Sequence, residues 1–359
     1  MHSCSFESKC DLPGIANTLS EHYPFLLDSA ASGPLSEYSL LLRTGGEQLC
    51  LYGDGSISGP GDGGDFLTRF NDWFQLEKKS PDETALWPFH GGWFLYLGYE
   101  LAALIEPKVQ FPTANDDFPI AFACRCPAVV YSNPAEPGTL HLIAESEALL
   151  DEMRDELKKL QPLPVKDCTE LTDLVADPPQ DFKRAVEQIH EYILDGDVFQ
   201  VNLSRAWRGS FAEPVDAGAL YRSLRSNNPA PFAGMVHWKD FVLMSSSPER
   251  LVSIRQDEVQ SRPIAGTRPR GADHASDQAL SRELLSHPKE RAEHIMLIDL
   301  ERNDLGRVCQ TGTVEVDELM VVESYEHVHH IVSNVRGRLR PGVTPVDVIR
   351  AVFPGGTIT

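Results

Sequence analysis

Between Tyr38 and Glu145 short apolar runs alternate with turns. The runs are YSLLLRT, LCLYGDG, GGWFLYLGYE, IAFACRCPAVVYS and TLHLIAE. Their length and their bounding turn-formers predict strands. A helical pattern, EALLDEMRDELKKL, closes this part of the chain. Strands laid down in succession pair antiparallel, because parallel neighbours need a crossover between them. The order excludes a doubly wound sheet and predicts an α+β fold, with large antiparallel sheets flanked by helices. With 359 residues, 42 % of them hydrophobic, the chain can bury a sizeable core in one large domain or two.

A Pro-rich stretch, LQPLPVKDCTELTDLVADPPQ, runs from Leu160 to Gln180 and divides the chain unequally. Beyond it, DFKRAVEQIHEYILDGD spaces Phe182, Val186, Ile189 and Ile193 along one helical face, with Asp181 as a cap and Gly196 as a stop. VFQVNLSRAW alternates as a strand, Gln200, Asn202 and Ser204 on one face and Phe199, Val201 and Leu203 on the other. FVLMSSSPERLVSI predicts strand, tight turn, strand, and SHPKERAEHIMLIDLERNDLG predicts a helix ending at Gly306. The regions that follow are a β-rich part over 1–160, a linker over 161–180 and a second part over 181–359.

The charge narrows the function classes. Against 32 Lys and Arg stand 53 Asp and Glu, a net charge of −21. Such a chain is repelled by nucleic acid and by anionic membrane surfaces. No apolar run reaches the ~18 residues of a membrane span, and the N-terminus MHSCSFESKCDLPG lacks the pattern of a secretion signal. The seven scattered cysteines predict reduced thiols in a cytoplasmic protein, and Cys124 and Cys126 are spaced too tightly for a zinc knuckle. The Asn202-Leu-Ser204 sequon then has no glycosylating compartment. The loop GDGSISGPGDGG lacks the order of a phosphate-binding loop.

Four places carry chemistry. Glu290 and Glu293, three apart on a helix, share a face. They suit magnesium, which takes one or two carboxylates plus substrate oxygens; the other reading is a solvated face relieved by Lys289 and Arg291. Glu249, at a strand end in SSSPER, is a general acid if burial raises its pKa, or half of a surface Glu–Arg pair. In EHVHHIVS a single histidine suits a proton relay better than His327 and His329 suit a metal. In SRPIAGTRPRG, Gly266 admits a ligand close to the backbone and Thr267 can donate to a carboxylate. Arg262, Arg268 and Arg270 add cation for an anionic substrate or an acidic partner loop, or form a surface arginine turn. Together these fit a small carboxylate substrate, magnesium and a general acid.

FQVNLSR, SSSPERLV, SRPIAGTRPRG, KERAEHIMLIDLERNDLGRV, VHHIVSNVRGRL and FPGGTIT occur in this order. From about Asp181 onward the chain thereby resembles the chorismate-utilising enzymes, which include anthranilate, aminodeoxychorismate, isochorismate and salicylate synthases. PFLLDSAASGPLSEYSLLL and GGWFLYLGYEL resemble the amino-transferring branch. The resemblance implies that Glu293, with Glu290 close by, holds Mg2+ against the substrate's ring carboxylate. It implies that Glu249 protonates the leaving 4-hydroxyl, that Gly266 and Thr267 bind the carboxylate, and that His330 is the active-site histidine. It implies a separate glutamine amidotransferase subunit as the ammonia source.

At Gln200 the water-adding members of this family carry a lysine, and a neutral amide cannot deprotonate water. The resemblance therefore implies ammonia as the nucleophile. Ala265, in P-I-A-G-T, resembles the anthranilate branch; aminodeoxychorismate synthases often have lysine there. FQVNLSR, NPAPFAG and VHHIVS resemble the aminodeoxychorismate branch, and the P-S-P-Y stretch of the anthranilate branch's tryptophan site is replaced by Pro229 to Phe232. Three segments outweigh one residue, so the expected product is 4-amino-4-deoxychorismate, on the way to 4-aminobenzoate and folate. Anthranilate is the alternative, and an inactive fragment that only binds the amidotransferase is the alternative of another class. The family continues past FPGGTIT, so the stop at Thr359 predicts a C-terminally truncated chain with part of the magnesium site and a bare sheet edge.

Overall fold

The computed structural model describes residues 1–31, 37–79, 87–109, 111–112, 117–162 and 170–356. The expected stop inside the last motif, at 357–359, and part of the Pro-rich stretch, 163–169, lie outside the described residues. The fold is α+β, and every strand pairing in it is antiparallel.

A seven-stranded sheet runs in the order His2–Glu7, Thr139–Ala144, Ala128–Ser132, Ser39–Arg43, Phe25–Asp28, Phe232–Trp238, Phe241–Ser247. Its last two strands come from beyond the Pro-rich stretch, so the two parts of the chain share one sheet. On one face lie helices Leu12–Thr18 and Glu147–Lys159, around Ile15, Leu26, Leu142 and Met153. The other face meets a four-stranded sheet, ordered Ile57–Ser58, Gln48–Leu51, Ala121–Cys126, Gly92–Leu97. The strand Ala121–Cys126 shows why IAFACRC is apolar throughout: both its faces are covered. Phe122, Cys124 and Cys126 point between the sheets, and Ala121 and Ala123 point toward helix Phe66–Glu77. Phe122 stacks on Trp238 with centroids 4.0 Å apart.

The third sheet carries the candidate site. Its long strand Val328–Arg338 pairs with Glu315–Ser324 on one side. On the other it pairs with Glu258–Ser261 and then Ile264–Pro269. Helix Pro288–Gly306 crosses this sheet, burying Ile298 and Leu305 against Val259 and Val335. Proline at the first helical position costs no backbone hydrogen bond, because that N–H has no partner inside a helix.

Several expectations are corrected. The stretch expected as a linker contains a strand, Leu171–Ala176, paired with Trp207–Phe211. The helix after it spans Pro179–Asp195 and ends at Gly196 with φ +80°, as expected, but its N-cap is Pro178. Asp181 lies in the first turn, bound to Arg184. VFQVNLSRAW is not a strand before Trp207, because no strand lies alongside it among the described residues. Without a ladder the alternation separates no buried face: Phe199 is 89 % exposed, and Val201 and Leu203 are exposed as well. The six described cysteines are free thiols, and among the described residues no helix is long and apolar enough to cross a membrane.

Candidate active site

The turn at the start of strand Ile264–Pro269 organises the site. The pairing with Val328–Arg338 shifts register between Ile264 and Thr267. Gly266 absorbs the shift at φ +88°, a conformation that a side chain disfavours. A Cβ there would stand 3.1 Å from Glu290 Oε2 and 3.2 Å from Leu284 Cδ1, so glycine also lets the helix come close. Ala265 is buried beneath the turn.

Thr267 sits opposite His330, and Thr267 Oγ1 lies 2.9 Å from His330 Nδ1. Burial lowers the His330 pKa, opposed by the Gly266 carbonyl and the Glu323 carboxylate. A neutral imidazole beside a hydroxyl can accept or pass a proton. The other two histidines of the cluster are occupied. His329 Nε2 meets Asp277 Oδ1 at 2.9 Å and its Nδ1 meets Ser324 Oγ at 2.7 Å, while His327 Nε2 lies 3.1 Å from the Asn227 carbonyl oxygen.

Glu249 follows Pro248 after strand Phe241–Ser247. Ser247 Oγ accepts the Glu249 N–H at 3.2 Å and fixes that turn. Glu249 Oε1 accepts the Ile264 N–H at 3.2 Å, tying the carboxyl to the Gly266 turn. Burial raises the Glu249 pKa, with the Ile264 N–H working the other way. That is the shift a general acid needs.

The two helix carboxylates differ. Glu290 Oε1 accepts from Arg268 Nη1 at 3.2 Å, and the same guanidinium reaches Glu283. Glu293 Oε1 instead accepts from the neutral amide of Gln200, Nε2, at 3.1 Å. Among the described residues no group of three His, Cys, Asp or Glu side chains gathers to hold a metal. A carboxylate that accepts from a neutral amide fits one ligand position of a magnesium ion, and one paired with arginine must give up that partner to join it.

The three arginines of SRPIAGTRPRG are not free for a substrate or partner. Arg262 binds Glu318 and Glu323, Arg268 binds Glu283 and Glu290, and Arg270 holds Asp277 through both Nε and Nη2. In so acidic a chain the cations are drawn inward to its own carboxylates.

The site divides around the turn. Gln200 and Glu293 line a groove of about 610 Å³ with Ile189, Phe199, Val201 and Met296. Glu249 lines a separate cavity of about 310 Å³, with Ser261, Phe353 and Glu301. Thr267, His330 and Glu290 border neither. Sequence reasoning missed two residues here. His294, fully buried, places Nε2 2.7 Å from Ser333 Oγ. Glu301 has a pKa raised to about 7, chiefly by burial and further by Asp304 and Glu249. Its signal in the sequence was its place about three helical turns after Glu290, on the same face.

A half-buried glycine turn on an antiparallel sheet thus stands with a glutamate of raised pKa and helix-borne carboxylates around it. The chain belongs to the chorismate binding enzyme family, which it matches over residues 54–359. It is 42 % identical over 308 residues to aminodeoxychorismate synthase component 1 of Bacillus subtilis, covering 82 % of this chain and 65 % of that protein. It is equally 42 % identical, over 292 residues, to an anthranilate synthase component I-like protein of Synechocystis, covering 79 % of this chain and 58 % of the other. The chain thus spans less than two thirds of the length of both relatives. Anthranilate synthase component I from Streptococcus pneumoniae superposes with a TM-score of 0.77 at 29 % identity, covering 91 % of this chain and 74 % of that one.

Proposed function

We propose that the protein aminates chorismate, using ammonia from a glutamine amidotransferase partner, to give 4-amino-4-deoxychorismate. The observation that carries the reading is the Gln200–Glu293 pair. A neutral amide beside the metal-side carboxylate has no means of deprotonating water, whereas ammonia brings its own lone pair. Glu249, whose hold on its proton burial strengthens, donates to the departing 4-hydroxyl. Gly266 and Thr267 receive the ring carboxylate, and His330 holds the Thr267 hydroxyl in place. Magnesium, when bound, would neutralise that carboxylate, with Glu293 as its ligand from this chain.

A second reading, amination at carbon 2 to anthranilate, is favoured by Ala265 and by relatives such as the anthranilate synthase component 1 of Neisseria gonorrhoeae, 36 % identical over 94 % of this chain. Incubation with chorismate, magnesium and an ammonium salt separates the two. Accumulation of 4-amino-4-deoxychorismate by mass supports the first, fluorescent anthranilate supports the second, and no product with either ammonium or the amidotransferase rejects both.

A further inference from the structure

Arg250 is the cation among the described residues that line the cavity of about 310 Å³ beside Glu249. Its guanidinium is short of partners. Nε is buried and has no hydrogen-bond partner. Nη2 has only a long contact to Gln260 Oε1, at 3.5 Å. Among the described residues no carboxylate pairs with it. The neighbouring guanidiniums do find theirs: Arg262 binds Glu318 and Glu323, and Arg255 binds Glu37. A guanidinium has five N–H donors and no acceptor, so a buried donor without an oxygen is a cost that the fold leaves standing.

The rest of the cavity does not meet that demand. Leu97, Leu251 and Phe353 line it with apolar groups, and a surrounding of low dielectric strengthens a charge-assisted bond formed there. Glu249 has Oε1 committed to the Ile264 N–H. Burial opposes the charge on Glu249 and on Glu301, so neither is a ready counter-ion. Arg262 and Arg255 repel the Arg250 charge rather than balance it. What suits the space is an anion from outside the fold. The planar fork of a guanidinium matches a carboxylate, with two parallel N–H groups for two oxygens.

Chorismate has two carboxylates. One sits on the ring, opposite the carbon that bears the 4-hydroxyl. The other belongs to the enolpyruvyl ether, on the carbon next to that one. A glutamate at the 4-hydroxyl therefore has the ether carboxylate as its neighbour, and Glu249 and Arg250 line one cavity. We propose that Arg250 receives the ether carboxylate of the substrate and makes the site selective for a dicarboxylate. The identity of the anion rests on the amination reading; the need for an anion rests on the orphaned Nε and the cavity.

Equilibrium binding without turnover tests this. Dissociation constants for chorismate, and for benzoate as a ring monocarboxylate, are measured by calorimetry with magnesium and no ammonium. In Arg250→Gln the affinity for chorismate should fall about 10- to 100-fold, the size of a hydrogen bond to a charged group, and the affinity for benzoate should hold. Arg250→Lys should recover part of the loss, because it restores the charge but not the fork. The urea midpoint of the free protein should stay or rise in Arg250→Gln, since the charge removed has no counter-ion in the fold. Equal losses for both ligands with a lowered midpoint mark a structural arginine and overturn the proposal, as does an unchanged affinity for chorismate. Amination by a wild-type protein whose Arg250→Gln variant binds chorismate undiminished removes the subsite and leaves the function standing. A selective loss without any amination product overturns the function proposed above and leaves the subsite.

Discussion

Gln200 Nε2 donates to Glu293 Oε1 across 3.1 Å, joining two residues 93 positions apart in the chain. The amide orients the carboxylate without neutralising it, as an ammonium would. Gln200→Ala should leave the fold intact and weaken magnesium binding about 10- to 100-fold, the usual cost of losing a partner that orients a ligand. Magnesium titration of the thermal shift in the presence of chorismate measures this. An unchanged magnesium midpoint would separate Gln200 from the metal.

Glu249→Gln keeps the Ile264 N–H bond but has no acidic proton. Turnover should fall by about 10²- to 10⁴-fold, the range for a general acid, while chorismate binding is retained. Single-turnover rates compared with the dissociation constant for chorismate decide the matter; a loss confined to binding would remove Glu249 from the acid role.

Gly266→Ala places a Cβ at φ +88° and 3.1 Å from Glu290 Oε2. The strained backbone and the shifted helix should cost about 1–3 kcal/mol, read as a lower urea midpoint at unchanged m-value. Because the turn is the expected carboxylate site, the KM for chorismate should rise as well.

His294 links stability to pH. Burial lowers its pKa from the ordinary 6.5 to about 4, opposed by the Ala265 carbonyl. The unfolded chain therefore binds the proton more readily, and stability falls as pH drops through the interval from about 6.5 to about 4. At pH 5 the loss from this group is about 2 kcal/mol relative to pH 7.5. Urea melts at both pH values, repeated on His294→Asn, should show a smaller pH-dependent loss in the variant. Equal losses would place the acid sensitivity elsewhere.

Much of the local structure was legible. The Pro288–Gly306 helix begins at its proline and ends at its glycine, and Gly196 stops the helix before it. VFQVNLSRAW failed because alternation describes two faces but supplies no neighbouring strand. The arginines of SRPIAGTRPRG could be counted, yet their partners lie up to 61 residues away.

By itself the sequence determined which residues share a face, where elements start and stop, and the glycine turn that suits a carboxylate. These follow from sterics within a few residues. Only the tertiary structure decided that Glu290 is neutralised by Arg268 while Glu293 is not, and that Glu249 shares a cavity with Glu301. Charge, burial and proton affinity depend on atoms that the fold brings together from distant parts of the chain, and no local pattern encodes that distance.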